Sequence, residues 1–239
     1  KVNKIDNALD ASGYKRPAIY IDVEGDEWEE SIDRSETLVK ECPLPSKEIV
    51  DKIAAAGIVG LGGATFPTQV KLMPPPGSKA EIIIINAVEC EPYLTSDYRL
   101  MMEAPEQVIG GLKVVLQLFE KAKGVIGIED NKPECIARYR ELVKNEQNME
   151  VMPLKAMYPQ GGEKVLIYHV TGEKVPEGKL PLDVGAVVLN CTTISSIARY
   201  CRTGLPLVKK CVTVDGSAVK NPMNVLVPIG MRMKGVFEA

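Results

Sequence analysis

The sequence predicts an α/β protein in which a mostly parallel sheet is flanked by helices and followed by a small β-rich module. Three observations carry that reading. Glu81-Ile-Ile-Ile-Ile-Asn86 is a β-branched run without polar alternation, the pattern of a strand covered on both faces. Helix, strand and helix signatures follow it in turn, giving a βαβ unit plus one further helix, for which a right-handed crossover in a doubly wound sheet is the rule. From Cys211 the texture changes to short alternating segments, Val212-Thr-Val-Asp-Gly216 and Asn224-Val-Leu-Val-Pro-Ile-Gly230, assigned to a β module that starts near residue 205.

Residues 1–44 read as an N-terminal extension with short β elements rather than an independent domain. Ala18-Ile-Tyr-Ile-Asp-Val23 has strand alternation and Glu24-Gly-Asp-Glu-Trp-Glu-Glu30 reads as an acidic turn. Pro45-Ser46 opens a helix with Ser46 as N-cap, Ile49, Val50 and Ile53 inward and Gly57 just past its end. Pro105 starts a helix reaching about Lys121, with Val108, Leu112, Val115, Leu116 and Phe119 at helical spacing. Gly124-Val-Ile-Gly-Ile-Glu129 is the second strand, and Pro133 opens a helix to about Asn145. Val151-Met-Pro-Leu-Lys155 is the third strand, and Tyr158-Pro-Gln-Gly-Gly-Glu-Lys164 turns into a helix carrying Val165, Leu166, Ile167 and His169. A loop over Pro176 to Gly185 leads to the strand Ala186-Val-Val-Leu-Asn190 and a helix from Thr192 to about Arg202, closed by Gly204. The main α/β domain is thus expected over residues 45–204, with residues 205–239 beginning the β module.

Composition narrows the function classes. At 239 residues, 45% hydrophobic and 26% charged, the chain can bury a full core. With 29 basic against 32 acidic residues and no block of like charge, it has no electrostatic footprint for nucleic acid. Its longest apolar runs, Ile82 to Ile85 and Ala186 to Leu189, fall far short of the roughly 18 residues a membrane span needs, so a membrane role goes through a partner. The six cysteines, Cys42, Cys90, Cys135, Cys191, Cys201 and Cys211, are scattered with no CxxC pair and a single histidine, which argues against a metal site and fits reduced cytoplasmic thiols. Beginning at Lys1 and closing without a terminating signal, the chain reads as an excised piece of something longer.

Two loops concentrate the chemistry. In Gly57-Ile-Val-Gly-Leu-Gly-Gly-Ala-Thr-Phe-Pro-Thr68, glycines let backbone N–H groups approach a phosphate or a flat ring where a Cβ would collide. Gly60, Gly62 and Gly63 lie in a near match to the dinucleotide fingerprint, but Thr65 stands at the third glycine and the loop follows a helix, so a Rossmann turn is excluded by context. Phe66 and Lys71 add an aromatic face and a cation. Asn86-Ala-Val-Glu-Cys-Glu-Pro92 follows the buried strand, where Asn86, Glu89, Glu91 and Asp97 require solvent, partners or a ligand. Their simpler reading is a solvated loop that caps helices. Gly162 and Glu163 mark a second glycine-rich helix entry, and Asn190, Thr192 and Thr193 are either plain caps or phosphate donors at a helix start. No base is positioned beside Cys90 or Cys191, so a cysteine nucleophile is rejected, and His169 reads as structural.

These motifs resemble the RnfC family, a component of the Rnf electron-transport complex that is itself similar to the flavin-bearing, NADH-binding subunit of respiratory complex I. Gly57 to Leu72 resembles the family's first glycine loop, Ile85 to Arg99 its flavin-site loop, and Tyr158 to Lys164 and Val188 to Thr193 follow in the same order, so the resemblance covers at least residues 46–230. It implies a noncovalent FMN, with NAD(H) docking over the flavin for hydride transfer. Gly60, Gly62 and Gly63 would line the cofactor and Lys71 would meet its polar chain, with Asn86 and Glu89 bonded to the flavin. Phe66 would stack on the nicotinamide nucleotide, Glu91 and Glu163 would lie near its polar parts with Gly162 beside them, and Asn190 and Thr193 would take the FMN phosphate. No side chain is implied as catalytic, since the flavin carries the chemistry.

Departures from the complex I relatives are Val88 for Asp, Lys164 for a second Glu, and Thr65 for Gly. The resemblance further implies ferredoxin:NAD+ oxidoreduction coupled to ion transport. It places the protein peripherally on the cytoplasmic side of the cell membrane with the other Rnf subunits, and ferredoxin reached through the complex. The 4Fe–4S clusters belong to the full-length protein only, so this stretch is expected to pass hydride to flavin without a next electron acceptor. The terminal module resembles the β-grasp module that follows the flavin fold in that family. Two other readings stand beside it, a cobalamin reductase subunit of the propanediol-utilisation type and a cofactor-free scaffold that keeps the fold.

Overall fold

The computed structural model describes residues 1–10, 13–25, 27–34, 44–119 and 121–238, with the backbone alone at 46 and 47. Cys42 lies outside the described residues. Contacts divide the chain into two compact units, Lys1–Ile32 and Asp33–Ala239. In the first, β1 (Val2–Leu9) and β2 (Lys15–Ile21) form an antiparallel pair, with a register irregularity between Val2 and Lys4. The alternating segment near residue 18 is therefore a strand, but its partner β1 was not expected. Asn, Lys and Asp between its apolar residues are poor strand formers, and it forms because β2 supplies the backbone partners.

In the second unit, β3 (Ile82–Ala87), β4 (Lys123–Glu129), β5 (Met149–Leu154) and β6 (Ala186–Asn190) form a parallel sheet in the order β5-β4-β3-β6. The unalternated apolar run is central, with Ile83, Ile84 and Ile85 fully buried. Burial on both faces is what its composition demands. The larger core joins Ile83 and Ile85 to α1 (Ser46–Ala55), α4 (Pro105–Leu116), α5 (Pro133–Val143) and α7 (Cys191–Thr203). The smaller core joins Ile84 and Val188 to Leu166 and Ile167 of α6 (Glu163–Thr171). Helices thus cover both faces, unequally. Closest approach is between α4 and α7, where a Cβ on Gly111 would come within 2.0 Å of the Ile194 carbonyl oxygen.

Strand order builds outward from β3 through β4 to β5 and then returns to the other side of β3 with β6. That reversal is the switch point at which such sheets bind ligands, beyond the carboxyl ends of the strands. Asn86 and Asn190 are paired across it.

Several boundaries move, most by one to three residues. The α1 cap position belongs to Pro45 rather than Ser46, and α4 stops at Leu116 instead of Lys121. The loop after β3 ends sooner than expected, because α3 (Ser96–Glu103) occupies its second half. Short α2 (Thr68–Leu72) follows the glycine loop. A 3-10 turn over Pro181–Val184 interrupts the loop before β6. Beyond α7, β7 (Lys209–Val214) and β8 (Met223–Pro228) pair antiparallel and α8 (Met233–Glu238) follows. The alternating texture at the end of the chain is accordingly β. No helix among the described residues is long and apolar enough to cross a membrane.

Candidate functional site

The glycine loop is a lobe held at its neck and open at its tip. Gly57, at φ +65°, lets the chain leave α1 in the left-handed conformation. Val59 bridges Pro67, the Gly60 N–H donates to the Phe66 carbonyl at 2.8 Å, and the Leu61 N–H donates to Thr193 Oγ1 at 2.8 Å. From Gly62 to Pro67 the lobe is exposed. Among the described residues, none accepts from the N–H groups of Gly62, Gly63, Ala64 or Thr65. Gly62 lies against Asn190, whose Cβ would be 3.3 Å from a Cβ placed there. Thr65 sits at φ +49°, a conformation that costs a β-branched residue on the order of 1–3 kcal/mol.

Beside the lobe, α2 delivers Lys71 to the strand ends. Its Nζ donates to Glu163 Oε1 at 2.5 Å and to the Val188 carbonyl at 3.0 Å. This ion pair ties the glycine lobe to the entry of α6. Asn86 is tied to the same entry, donating from Nδ2 to the Gly161 carbonyl at 2.9 Å while its Oδ1 accepts from the Val88 N–H at 3.2 Å. Gly161 is closely hemmed in, since a Cβ there would meet Cys90 Sγ and the Val88 carbonyl at 3.2 Å.

Asp97 joins the remaining parts. Its carboxylate accepts from Asn190 Nδ2 at 2.6 Å and from Thr192 Oγ1 at 2.5 Å. Asn190 Oδ1 accepts from the N–H groups of Thr192 and Thr193, so the side chain is a true N-cap of α7. Glu89 does the same for α3 from outside the helix, accepting from the N–H of Asp97 at 2.7 Å and of Tyr98 at 3.0 Å. Burial, then the Asp97 charge, raises the Glu89 carboxyl to about 7. The Glu89 N–H in turn donates to Glu129 Oε2 at 3.2 Å, which Lys132 also holds at 2.5 Å.

An open cavity of about 570 Å3 adjoins this network over the ends of β3, β4 and β5, with Glu91, Tyr93, Thr95, Lys132 and Tyr158 among its walls. That volume suits a mononucleotide-sized ligand. Tyr93 is four-fifths exposed and left-handed at φ +68°, an uncommon conformation for a non-glycine residue.

The fold therefore gathers Gly60, Gly62, Gly63, Lys71, Asn86, Gly162, Glu163, Asn190 and Thr193 around the switch point. Phe66, 45% exposed, stands on the glycine lobe, and Glu91 stands on the cavity wall. Glu89, Asn190 and Thr193 use their polar atoms within the protein, as the capping reading of these segments has it. Sequence reasoning grouped Asp97 with the acidic residues of its loop but did not assign it a site role. It also passed over Lys132 and Glu129. A salt-bridged Glu/Lys pair three residues apart at a strand end is ordinary on its own, and its proximity to Glu89 is a tertiary fact. No group of three or more potential metal ligands occurs among the described residues, and none of Cys90, Cys135, Cys191, Cys201 and Cys211 is in a disulfide among them.

Residues 53–199, which include most of this constellation, match the family of the Nuo51 FMN-binding domain. The chain belongs to that family. Within it, the chain is 43% identical over 237 residues to the RnfC component of the proton-translocating ferredoxin:NAD(+) oxidoreductase complex of Clostridium ljungdahlii, covering 96% of this chain and 51% of that protein. It is 41% identical over 239 residues to the corresponding component of the Na(+)-translocating ferredoxin:NAD(+) oxidoreductase complex of Acetobacterium woodii, covering all of this chain and 53% of that protein. The chain thus spans about half the length of these curated relatives. A chain of an NAD+-reducing [NiFe]-hydrogenase in the air-oxidized state superposes with a TM-score of 0.68 at 22% identity, covering 81% of this chain and 38% of that one. That likeness shows that the fold is shared.

Proposed function

We propose that this chain holds FMN at the β3/β6 switch point and exchanges electrons between FMN and NAD(H), as part of a ferredoxin:NAD+ oxidoreductase complex. One observation carries the reading: the loops that resemble the family's flavin-site motifs, drawn from a span of more than a hundred residues, meet at the ends of β3 and β6 inside the matched stretch. The residues fit the group. The N–H groups from Gly62 to Thr65, which have no acceptor among the described residues, can face phosphate or ring oxygens. Lys71 supplies a cation whose present partners, Glu163 and the Val188 carbonyl, are both at the strand ends. Asn86 presents an amide there as well. Asn190 and Thr193 contribute indirectly, by fixing the start of α7 against the glycine lobe.

FMN supplies hydride acceptance and one-electron release when bound. The protein's part is to hold it flat and to present the nucleotide, with Phe66 as a stacking face and Glu91 on the open cavity as an acceptor for ribose hydroxyls. Glu163 completes the polar edge. Partners on this reading are the other subunits of an ion-translocating complex at the cytoplasmic membrane face, with ferredoxin and iron–sulfur clusters supplied by the whole assembly. Purified chain mixed with FMN should show a saturable, one-to-one change in flavin fluorescence and a rise in Tm. Unchanged fluorescence together with an unshifted Tm at excess FMN contradicts it.

A further inference from the structure

Pro92 to Thr95 forms one wall of the cavity, yet it has little to hold it. All four residues are exposed, and the Leu94 N–H donates to the Glu91 carbonyl at 3.4 Å, a long bond. Tyr93 within it is left-handed, a conformation that persists only where its surroundings enforce it. Loops so placed are ordinarily mobile.

The restraint comes from the terminal β pair. The Thr95 N–H donates to Thr213 Oγ1 at 3.2 Å, the Thr213 hydroxyl donates to Asn224 Oδ1 at 2.7 Å, and Asn224 Nδ2 donates back to Thr95 Oγ1 at 2.9 Å. Thr213 of β7 and Asn224 of β8 are register partners, so the pair presents them side by side. The three residues close a ring of hydrogen bonds at the head of α3, in which each bond fixes the orientation of the next. At the other end of the same loop, Glu89 is held by its N–H bond to Glu129 Oε2 and ties that end to the head of α3 by accepting from the N–H groups of Asp97 and Tyr98. The wall is therefore clamped at both ends, from the sheet core by Glu89 and from the terminal module by Thr213 and Asn224.

We propose that Thr213 and Asn224 are positioning residues for the nicotinamide nucleotide, acting through Thr95 to hold the Glu91–Thr95 wall of the cavity in its binding shape. This rests on the functional reading above, in which the nucleotide enters the cavity beside Glu91. A looser wall lowers the fraction of molecules competent to bind and weakens the apparent affinity by that fraction. The flavin site itself, on the glycine-lobe side of the switch point, lies outside the ring.

The test compares the protein loaded with FMN that has first been reduced with dithionite, so that NADH binds without reacting, with its Thr213→Val and Asn224→Ala variants, using NADH titrated by calorimetry under anaerobic conditions, FMN titrated separately, and hydrogen exchange at the amides of residues 91–98. The variants should bind FMN as the unsubstituted protein does, bind NADH about 3- to 10-fold more weakly, and exchange these amides faster. Thr213→Ser, which restores the hydroxyl, should recover NADH affinity. Should either variant fail to fold, Asn224→Asp, which keeps the shape and removes one donor, replaces it with the same expectation. Faster exchange with unchanged NADH affinity overturns the positioning role and leaves the ring as a fastening for the terminal sheet. Failure of the unsubstituted protein to bind NADH overturns the functional reading instead.

Discussion

The glycine lobe and the strand-end loop flank the same switch point but are built in opposite ways. Residues 62–65 have N–H groups with no acceptor among the described residues, expose their side chains and carry conformational strain at Thr65. In the strand-end loop, Asn86, Glu89 and Asp97 commit their side chains inward, Asn86 to Gly161, Glu89 to the head of α3, and Asp97 to Asn190 and Thr192. One segment is shaped to meet something from outside, and the other to hold its neighbours still. The lesson is that polar side chains at a site are not all ligand contacts. On the proposed reading the backbone of one loop is offered for binding, while Glu89 and Asp97 of the other are the frame that aims it.

Breaking the frame should do the most damage. Asp97→Ala leaves Asn190 Nδ2 and Thr192 Oγ1 without their acceptor and loosens α7 from α3, at a cost of about 3 kcal/mol in chemical denaturation. FMN affinity should fall as well, because Asn190 packs against Gly62. Asp97→Asn, which keeps one acceptor, should cost less than half as much. A loss below about 1 kcal/mol for Asp97→Ala would mean that the hub is not structural.

The frame should also respond to pH with a defined sign. Glu89 binds its proton up to about 7 in the folded chain, against an ordinary 4.5. Between those values the folded state carries more protons than the unfolded one, so this group's contribution to stability is complete below about 4.5 and is lost as pH rises to about 7. The loss is about 3 kcal/mol. Glu89→Gln keeps an acceptor for the helix head and should flatten that slope between about pH 5 and 7.5, whereas an unchanged slope in the variant would assign it to other groups.

Smaller effects belong to the open lobe. Thr65→Gly removes the strain at φ +49° against a glycine's extra freedom in the unfolded chain, for a net gain of up to about 1 kcal/mol. A measurable loss would show that the threonine side chain has a stabilising contact. Phe66→Ala should change Tm least, since the ring is 45% exposed, yet weaken NADH binding to the FMN-loaded chain. Equal nucleotide affinity in the variant removes the stacking role.

How much of this was legible beforehand follows from what each part depends on. β3 and β6 are readable because burial on both faces forces unbroken apolar runs, and α7 because Asn190 before it and Gly204 after it are local signals. α3 was not, since eight residues with Met101 alone fully buried carry no helical stripe, and the carboxylate that caps it, Glu89, lies outside the local cap pattern. The glycine lobe announced itself by composition. The clasp from Asp97 to Asn190 and Thr192 spans 93 and 95 residues, and the ring from Thr95 to Asn224 spans 129, distances at which a sequence carries no periodic trace of contact.

On the proposed function, electrons pass between NAD(H) and a flavin held at the switch point. The most direct test is the anaerobic addition of NADH to the FMN-loaded chain while the flavin absorbance band is followed. The account predicts bleaching with one NADH consumed per flavin, slowed in Phe66→Ala and absent in preparations without FMN. A flavin that is bound yet stays oxidised in excess NADH would contradict it.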